Sequence, residues 1–141
     1  QMRRADARIQ KRIENLVNEM HRKLAKFLCE NYNVILIPEF RTQDMVKRRN
    51  RIINGETAFA MLTWSHYRFR QRLLSKAREY PLCRVILCDE AYTSKTCGNC
   101  GEINSKLGGK KTFKCEKCGA VADRDIQAAR NILLRYTTLI C

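Results

Sequence analysis

Acidic residues are scarce in this sequence: 14 Asp and Glu stand against 28 Lys and Arg in 141 residues, a formal net charge of +14. Long apolar runs are absent. No stretch approaches the roughly 20 residues that a helix needs to cross a bilayer. Gln1–Arg12 is charged where a secretory signal turns apolar, so neither a membrane nor a secreted protein is expected. Internal repeats and low-complexity tracts are missing too. With 45% hydrophobic residues in one domain's length of chain, a folded body with a core is expected rather than disorder. The basic residues are spread along the whole length, which calls for a positive surface and a polyanionic partner. Lys and Arg set against phosphates release condensed counterions, so nucleic acid leads; a ribosome-like or chromatin-like scaffold protein, binding by charge alone, is the bland alternative.

Periodicity supplies the elements. Ile9, Ile13, Leu16, Val17, Met20, Leu24, Phe27 and Leu28 recur in steps of three and four and draw one stripe along a helix. Asn33–Ile37 is a short, largely β-branched run closed by Pro38, which predicts a buried strand, with Glu39 just past its carboxyl end. Residues 41–51 are polar and basic and predict a connection. Gly55–Tyr80 predicts a helix with Phe59, Leu62, Phe69, Leu73 and Leu74 as core, and Trp64 is expected to pack inward as well. Its stretch from Trp64 to Arg72 interleaves aromatic rings with cations, a pattern suited to stacked bases and held phosphates. Pro81 ends that helix, Arg84–Cys88 predicts a second strand, and Asp125–Leu139 a last helix with Ile126, Ala129, Ile132, Leu133 and Tyr136 on one face. The fold class is α/β. Two short strands make a poor layer for three helices, so further strands are expected from more of a longer polypeptide, as the start at Gln1 also suggests.

Eight cysteines are present, and four of them have metal spacing. Cys97-Gly-Asn-Cys100 and Cys115-Glu-Lys-Cys118 are two C-x2-C pairs separated by 14 residues, each followed by glycine, Gly101 and Gly119. Such a turn forms a knuckle in which both thiolates face one cation, and two knuckles close a tetrahedral all-thiolate zinc site. Four thiolates leave no open position for water, so this zinc stabilises structure and performs no chemistry. Disulfides are disfavoured in a basic chain without secretion signals. Cys29, Cys83, Cys88 and Cys141 show no partner spacing and are expected to be inert thiols.

Two carboxylates sit where they could hold a catalytic metal. Glu39 lies at the mouth of the first strand, and open α/β sheets bind ligands outside the carboxyl ends of their strands. Asp125 opens the last helix. A solvated loop residue remains the alternative for Glu39, and helix capping the alternative for Asp125, with Asp123 competing for that task.

Four ordered stretches, VILIPEF (34–40), MLTWSHYRFRQRLLSKA (61–77), EAYTSKTCGNCG (90–101) and FKCEKCGAVADRDIQAARNIL (113–133), resemble the carboxyl-terminal half of the TnpB/OrfB family of transposon-encoded RNA-guided nucleases. The wording is closest to the eukaryotic Fanzor proteins, and type V CRISPR effectors are more distant kin. The resemblance covers nearly the whole chain. It implies a partial RNase H-like (RuvC) layer over 1–92, a zinc ribbon inserted at 93–121 and a final RuvC-like helix over 122–141. It also implies cleavage of DNA by two magnesium ions under the direction of a guide RNA. By position, Glu39 matches the second acidic motif and Asp125, in Arg-Asp-x-x-Ala-Ala-Arg-Asn-Ile, the third; Cys97, Cys100, Cys115 and Cys118 match the zinc ligands. Tyr92, Thr93 and Ser94 belong to the motif leading into the ribbon and are expected to position it. Lys47, Arg48, Arg49 and Arg51, with His66, Arg68, Arg70 and Arg72, are expected to grip guide RNA and target DNA by their backbones.

One departure stands out: the family's first acidic motif, an Asp on the first sheet strand, has no match here. Asp6 lies on a helical stripe, Asp44 in a basic loop and Asp89 in the segment before the ribbon. The chain is therefore expected to be a fragment, a cleavage product or a degenerate copy, to need the upstream part of the same protein for a complete active site, and to bind zinc and nucleic acid without cutting. An intracellular protein is implied, nuclear if the Fanzor likeness holds. The rival expectation is a transposon-derived, non-catalytic zinc-ribbon protein that binds nucleic acid.

Overall fold

The computed structural model describes residues 2–39, 46, 53–105, 107, 108 and 111–140. The basic stretch Lys47, Arg48, Arg49 and Arg51 lies outside the described residues. The chain divides into two compact units, one formed by Gln1–Ile35 and Phe40–Ile86, the other by Leu36–Glu39 and Leu87–Cys141.

The first unit is built on α1 (Met2–Asn31), which packs against α2 (Gly55–Trp64) and above all α3 (His66–Ala77). Along α1 the buried residues are Val17, His21, Ala25 and Cys29, one every four residues, so they form a narrow line facing its neighbours. The apolar stripe read from the sequence is wider than that line, and Leu16, Met20, Leu24 and Phe27 remain exposed beside it. Ion pairs on the outer face, such as Glu19 with Arg22 at 3.2 Å, are exposed and contribute little.

A single helix over 55–80 is not what forms. Asn54 caps α2 by accepting the Thr57 N–H at 2.7 Å, and the helix stops at Ser65, whose φ of 47° is left-handed. This break splits the predicted helix and redirects its core positions: Leu73 is fully buried, whereas Phe59 and Leu62 are 61% and 57% exposed. Trp64 is also largely exposed rather than in the core, and with Ile13, Leu16, Met20 and Phe59 it lines an open apolar groove of about 490 Å³ between α1 and α2. Polar ties supplement the apolar contact. Arg72 donates to the Asn18 carbonyl at 3.0 Å, and the Tyr80 hydroxyl meets Glu30 at 3.3 Å.

Strands β1 (Val34–Pro38) and β2 (Arg84–Cys88) pair into a two-stranded sheet. Arg84 N–H bonds to the Asn33 carbonyl at one end and Glu39 N–H to the Cys88 carbonyl at the other, so the strands run parallel and need the helical crossover that 55–77 supplies. In the second unit β3 (Thr112–Lys114) and β4 (Val121–Asp123) form an antiparallel hairpin in the register Thr112↔Asp123, Phe113↔Ala122, Lys114↔Val121. α4 (Arg124–Ile140) follows at once. The unit's core is small: Phe113, Leu107, Cys97 and Cys115, with Ala120 packed on them.

His21 is 2% exposed, its ring 5.3 Å from that of Phe69 and its Nδ1 buried without a partner among the described residues. Burial pushes its pKa below the ordinary 6.5; the Trp64 backbone works the other way, and the charges of Arg72, Arg68 and His66 add to the depression. The folded state therefore binds this proton less readily than the unfolded chain, so stability is full above about pH 6.5 and falls as the pH drops towards the depressed value. Denaturant titrations between pH 7.5 and 5 are expected to show this loss in the wild type, and His21→Leu to flatten the dependence.

Candidate metal centre

Each cysteine pair is a backbone turn before it is a metal site. In the first, Gly101 N–H bonds to the Cys97 carbonyl at 2.9 Å and Cys97 N–H to the Glu102 carbonyl at 2.7 Å; in the second, Gly119 N–H bonds to the Cys115 carbonyl at 3.0 Å and Cys115 N–H to the Ala120 carbonyl at 2.8 Å. The two knuckles thus repeat one geometry. Gly101 and Gly119 have φ of +76° and +73°, and a Cβ at either would meet nothing within 4 Å. What demands glycine is conformation and not space, and any other residue costs about 1–2 kcal/mol there.

The four sulfur atoms lie within 4.8 Å of one another, with Cys97 to Cys118 and Cys100 to Cys115 both at 3.6 Å. A zinc ion with bonds of about 2.3 Å in a tetrahedron sets sulfurs about 3.8 Å apart, so the donor set fits zinc in number, chemistry and spacing. Burial acts to raise the Cys97 thiol, but the amides of Cys100 and Asn99 and the neighbouring thiols overcome it and bring the group down to about 7. At Cys100 the Glu102 amide lowers the pKa, yet burial and the thiols of Cys118, Cys115 and Cys97 push it up to about 12. Successive negative charges oppose one another in this quartet, and a divalent cation removes the opposition.

The carboxylates are placed differently. Glu39 is exposed at the carboxyl end of β1. Asp125 is in the first turn of α4, its side chain 80% exposed and 3.2 Å from the Arg124 Nε. It does not cap the helix. Asp123 accepts the N–H groups of Ile126 and Asp125 at 3.1 and 2.8 Å, and these bonds hold its carboxyl below the usual range. Among the described residues, the cysteine quartet is the only gathering of three or more potential ligands, so no acidic cluster surrounds Glu39 or Asp125. Asp89 pairs with Arg135 at 3.3 Å.

Of the basic candidates on α3, Arg68 and His66 are exposed, Arg70 lies 5.3 Å over the Tyr67 ring, and Arg72 is committed to Asn18. Thr93, expected to position the ribbon, is 6% exposed and its hydroxyl donates to the Glu90 carbonyl at 2.8 Å. Sequence reasoning missed Gln127 and Asn131, which stand on α4 against the first knuckle. Their i, i+4 spacing was legible, but only the folded loop reveals the carbonyls they serve.

The fold and the site together define a mixed α/β protein that carries a four-cysteine cluster fit to hold a metal. A family model described as Cas12f1-like, TNB domain, matches residues 66–132. The chain is 42% identical over 135 residues to a putative transposase, A625R, of Paramecium bursaria Chlorella virus 1, covering 96% of this chain and 30% of that protein. It is 36% identical over 123 residues to the TnpB-like protein L79 of Acanthamoeba polyphaga mimivirus (87% and 23%). It is 42% identical over 72 residues to the CRISPR-associated endodeoxyribonuclease Cas12f1 of Sulfoacidibacillus thermotolerans (50% and 17%). In fold it is similar to a cryo-EM structure of a Cas12f1–sgRNA–target DNA complex, with a TM-score of 0.54 at 23% identity, covering 93% of this chain and 35% of that one. The model match and these relatives together support a TnpB/OrfB-family part in this chain. It spans less than a third of the length of these curated relatives, which are named a putative transposase, a TnpB-like protein and an endodeoxyribonuclease.

One zinc per chain is expected by metal analysis, and Cys97→Ser or Cys115→Ser is expected to weaken it on the order of 100-fold, since an apparent binding free energy of roughly 10–16 kcal/mol is shared by four thiolates. Competition titrations with a chromophoric chelator check this. They should also show affinity falling as pH falls, because protons compete for the sulfurs.

Proposed function

We propose that the chain is the carboxyl-terminal part of an RNA-guided, magnesium-dependent DNA endonuclease of transposon origin. In this reading 1–92 and 122–141 contribute to a RuvC-like layer and 93–121 is a zinc-ribbon insertion. The observation that carries it is the position of Glu39. Its N–H closes the parallel pair on the Cys88 carbonyl, at the carboxyl ends of the strands, where α/β sheets bind their ligands. The relief of Asp125 from capping supports the reading further, because this second exposed carboxylate, paired with its neighbour Arg124, is not used to close the helix.

Carboxylate oxygens suit a hard divalent cation, and Glu39 and Asp125 are the residues of this chain that would hold it, with a third carboxylate supplied by the parent protein outside this chain. Magnesium bound there supplies the charge that activates a water and stabilises the leaving oxygen of a cut phosphodiester. The exposed Arg68 and His66, together with the basic stretch 47–51, would hold nucleic-acid backbone, leaving sequence recognition to base pairing with the guide. Guide RNA and target DNA are the partners, a reading supported by the Cas12f1 complex of similar fold. Alone, the chain binds zinc and nucleic acid and does not cut. The parent is intracellular, and nuclear if its kinship is with the Fanzor proteins.

A second reading, a transposon-derived zinc-ribbon protein that binds nucleic acid without cutting, is favoured by one fact: among the described residues the cysteines form the only ligand cluster. The two separate in the full-length parent, loaded with guide RNA and magnesium. Glu39→Gln and Asp125→Asn are each expected to slow target cleavage roughly 100-fold or more, the scale of losing one electrostatic stabiliser, while target binding persists. Cleavage that survives both changes refutes the assignment, and a parent that never cuts supports the second reading.

A further inference from the structure

α4 is held to its unit by an unusual means. Among its described side chains, Gln127 is the one that is buried, while Ile126, Leu133 and Leu134 are exposed. Ala128, Ile132 and Tyr136 are half-buried, so apolar contact supplies a part of the helix's attachment and polar ties supply another. Gln127, Arg130 and Asn131, at i, i+3 and i+4, share one face. Asn131 Nδ2 donates to the carbonyls of Thr93 and Thr96, both at 2.8 Å; Gln127 Nε2 donates to the Thr96 carbonyl at 3.2 Å; Arg130 Nη1 reaches Asn99 Oδ1 at 3.3 Å. Between the amides sits Gly98, where a Cβ would come within 2.9 Å of Asn131 Oδ1.

Those contacts end on the first knuckle. Thr96 precedes Cys97, Gly98 follows it, and Asn99, which Arg130 reaches, lies between the two cysteines of the knuckle. The loop carbonyls served by Asn131 and Gln127 keep their positions only while the knuckle keeps its shape, and the knuckle keeps its shape while its sulfurs share a cation. We infer that Asn131 and Gln127 are positioning residues that join the metal knob and α4 into one cooperative unit, so that zinc loading orders the helix whose first turn carries Asp125. The consequence for Asp125 as a metal ligand rests on the function proposed above; the mechanical coupling does not.

The test uses the full chain, loaded with zinc or with cobalt, whose absorption reports four-thiolate coordination. Amide hydrogen exchange is followed over residues 124–136. In the wild type, chelation is expected to speed exchange there by about tenfold or more. In metal-loaded Asn131→Asp, which keeps the side-chain shape but loses the N–H donors, exchange is expected to come within about twofold of the metal-free wild type while the cobalt band remains. Gly98→Ala, which displaces the Asn131 amide by contact alone, is expected to move exchange in the same direction, and it decides the matter if Asn131→Asp loses the band. Exchange over α4 that is indifferent to zinc in the wild type overturns the inference, as does a variant that retains both the cobalt band and zinc-dependent protection. Neither outcome depends on whether the parent cuts DNA, so failure of the nuclease reading would leave this result standing.

Discussion

Four sulfur atoms within 4.8 Å of one another cannot all carry charge unless a cation shares them, and much of the second unit depends on that constraint. Its hairpin strands are three residues long, and among its described residues Phe113 is the one large, fully buried side chain. A core of that size stabilises little by itself. Two knuckles tied by their own amide bonds, with glycines at positive φ where other residues are strained, bring the thiolates together, and a metal bound there would contribute the free energy that apolar burial does not.

Polar ties recur wherever apolar burial is thin. In the first unit a guanidinium on α3 serves a carbonyl of α1, and a tyrosine hydroxyl serves Glu30 near the end of the same helix. In the second, two carboxamides on α4 satisfy carbonyls in the loop before the first knuckle. Buried carbonyls need partners, and side chains supply them where no ladder reaches. Such ties are directional, so each element is held in one register as well as held down.

The acidic residues divide the work at the start of α4. Asp123 takes the two free amides of the first turn, and Asp125, two residues later, faces outward with Arg124 beside it. A single carboxylate would have to choose between closing the helix and serving a ligand. Two of them at this spacing let one close the helix while the other stays available to the cation of the function proposed above.

What could be read without coordinates was whatever is local: the knuckle spacing of Cys97, Cys100, Cys115 and Cys118, the strands at 34–38 and 84–88, the helical period of 2–31 and the acidic pair at 123 and 125. These depend on residues a few positions apart, so their pattern survives in one dimension. Burial did not survive, because it depends on what comes to lie opposite. Phe59, Leu62 and Trp64 carry helical spacing, yet a left-handed Ser65 splits the helix and leaves them exposed, while His21, polar and unremarked, is shut inside. The tertiary structure alone turned Arg72 towards Asn18 and set Gln127 and Asn131 under Thr93 and Thr96. A carbonyl's need for a donor arises only once its loop has folded, and no spacing along the chain announces it.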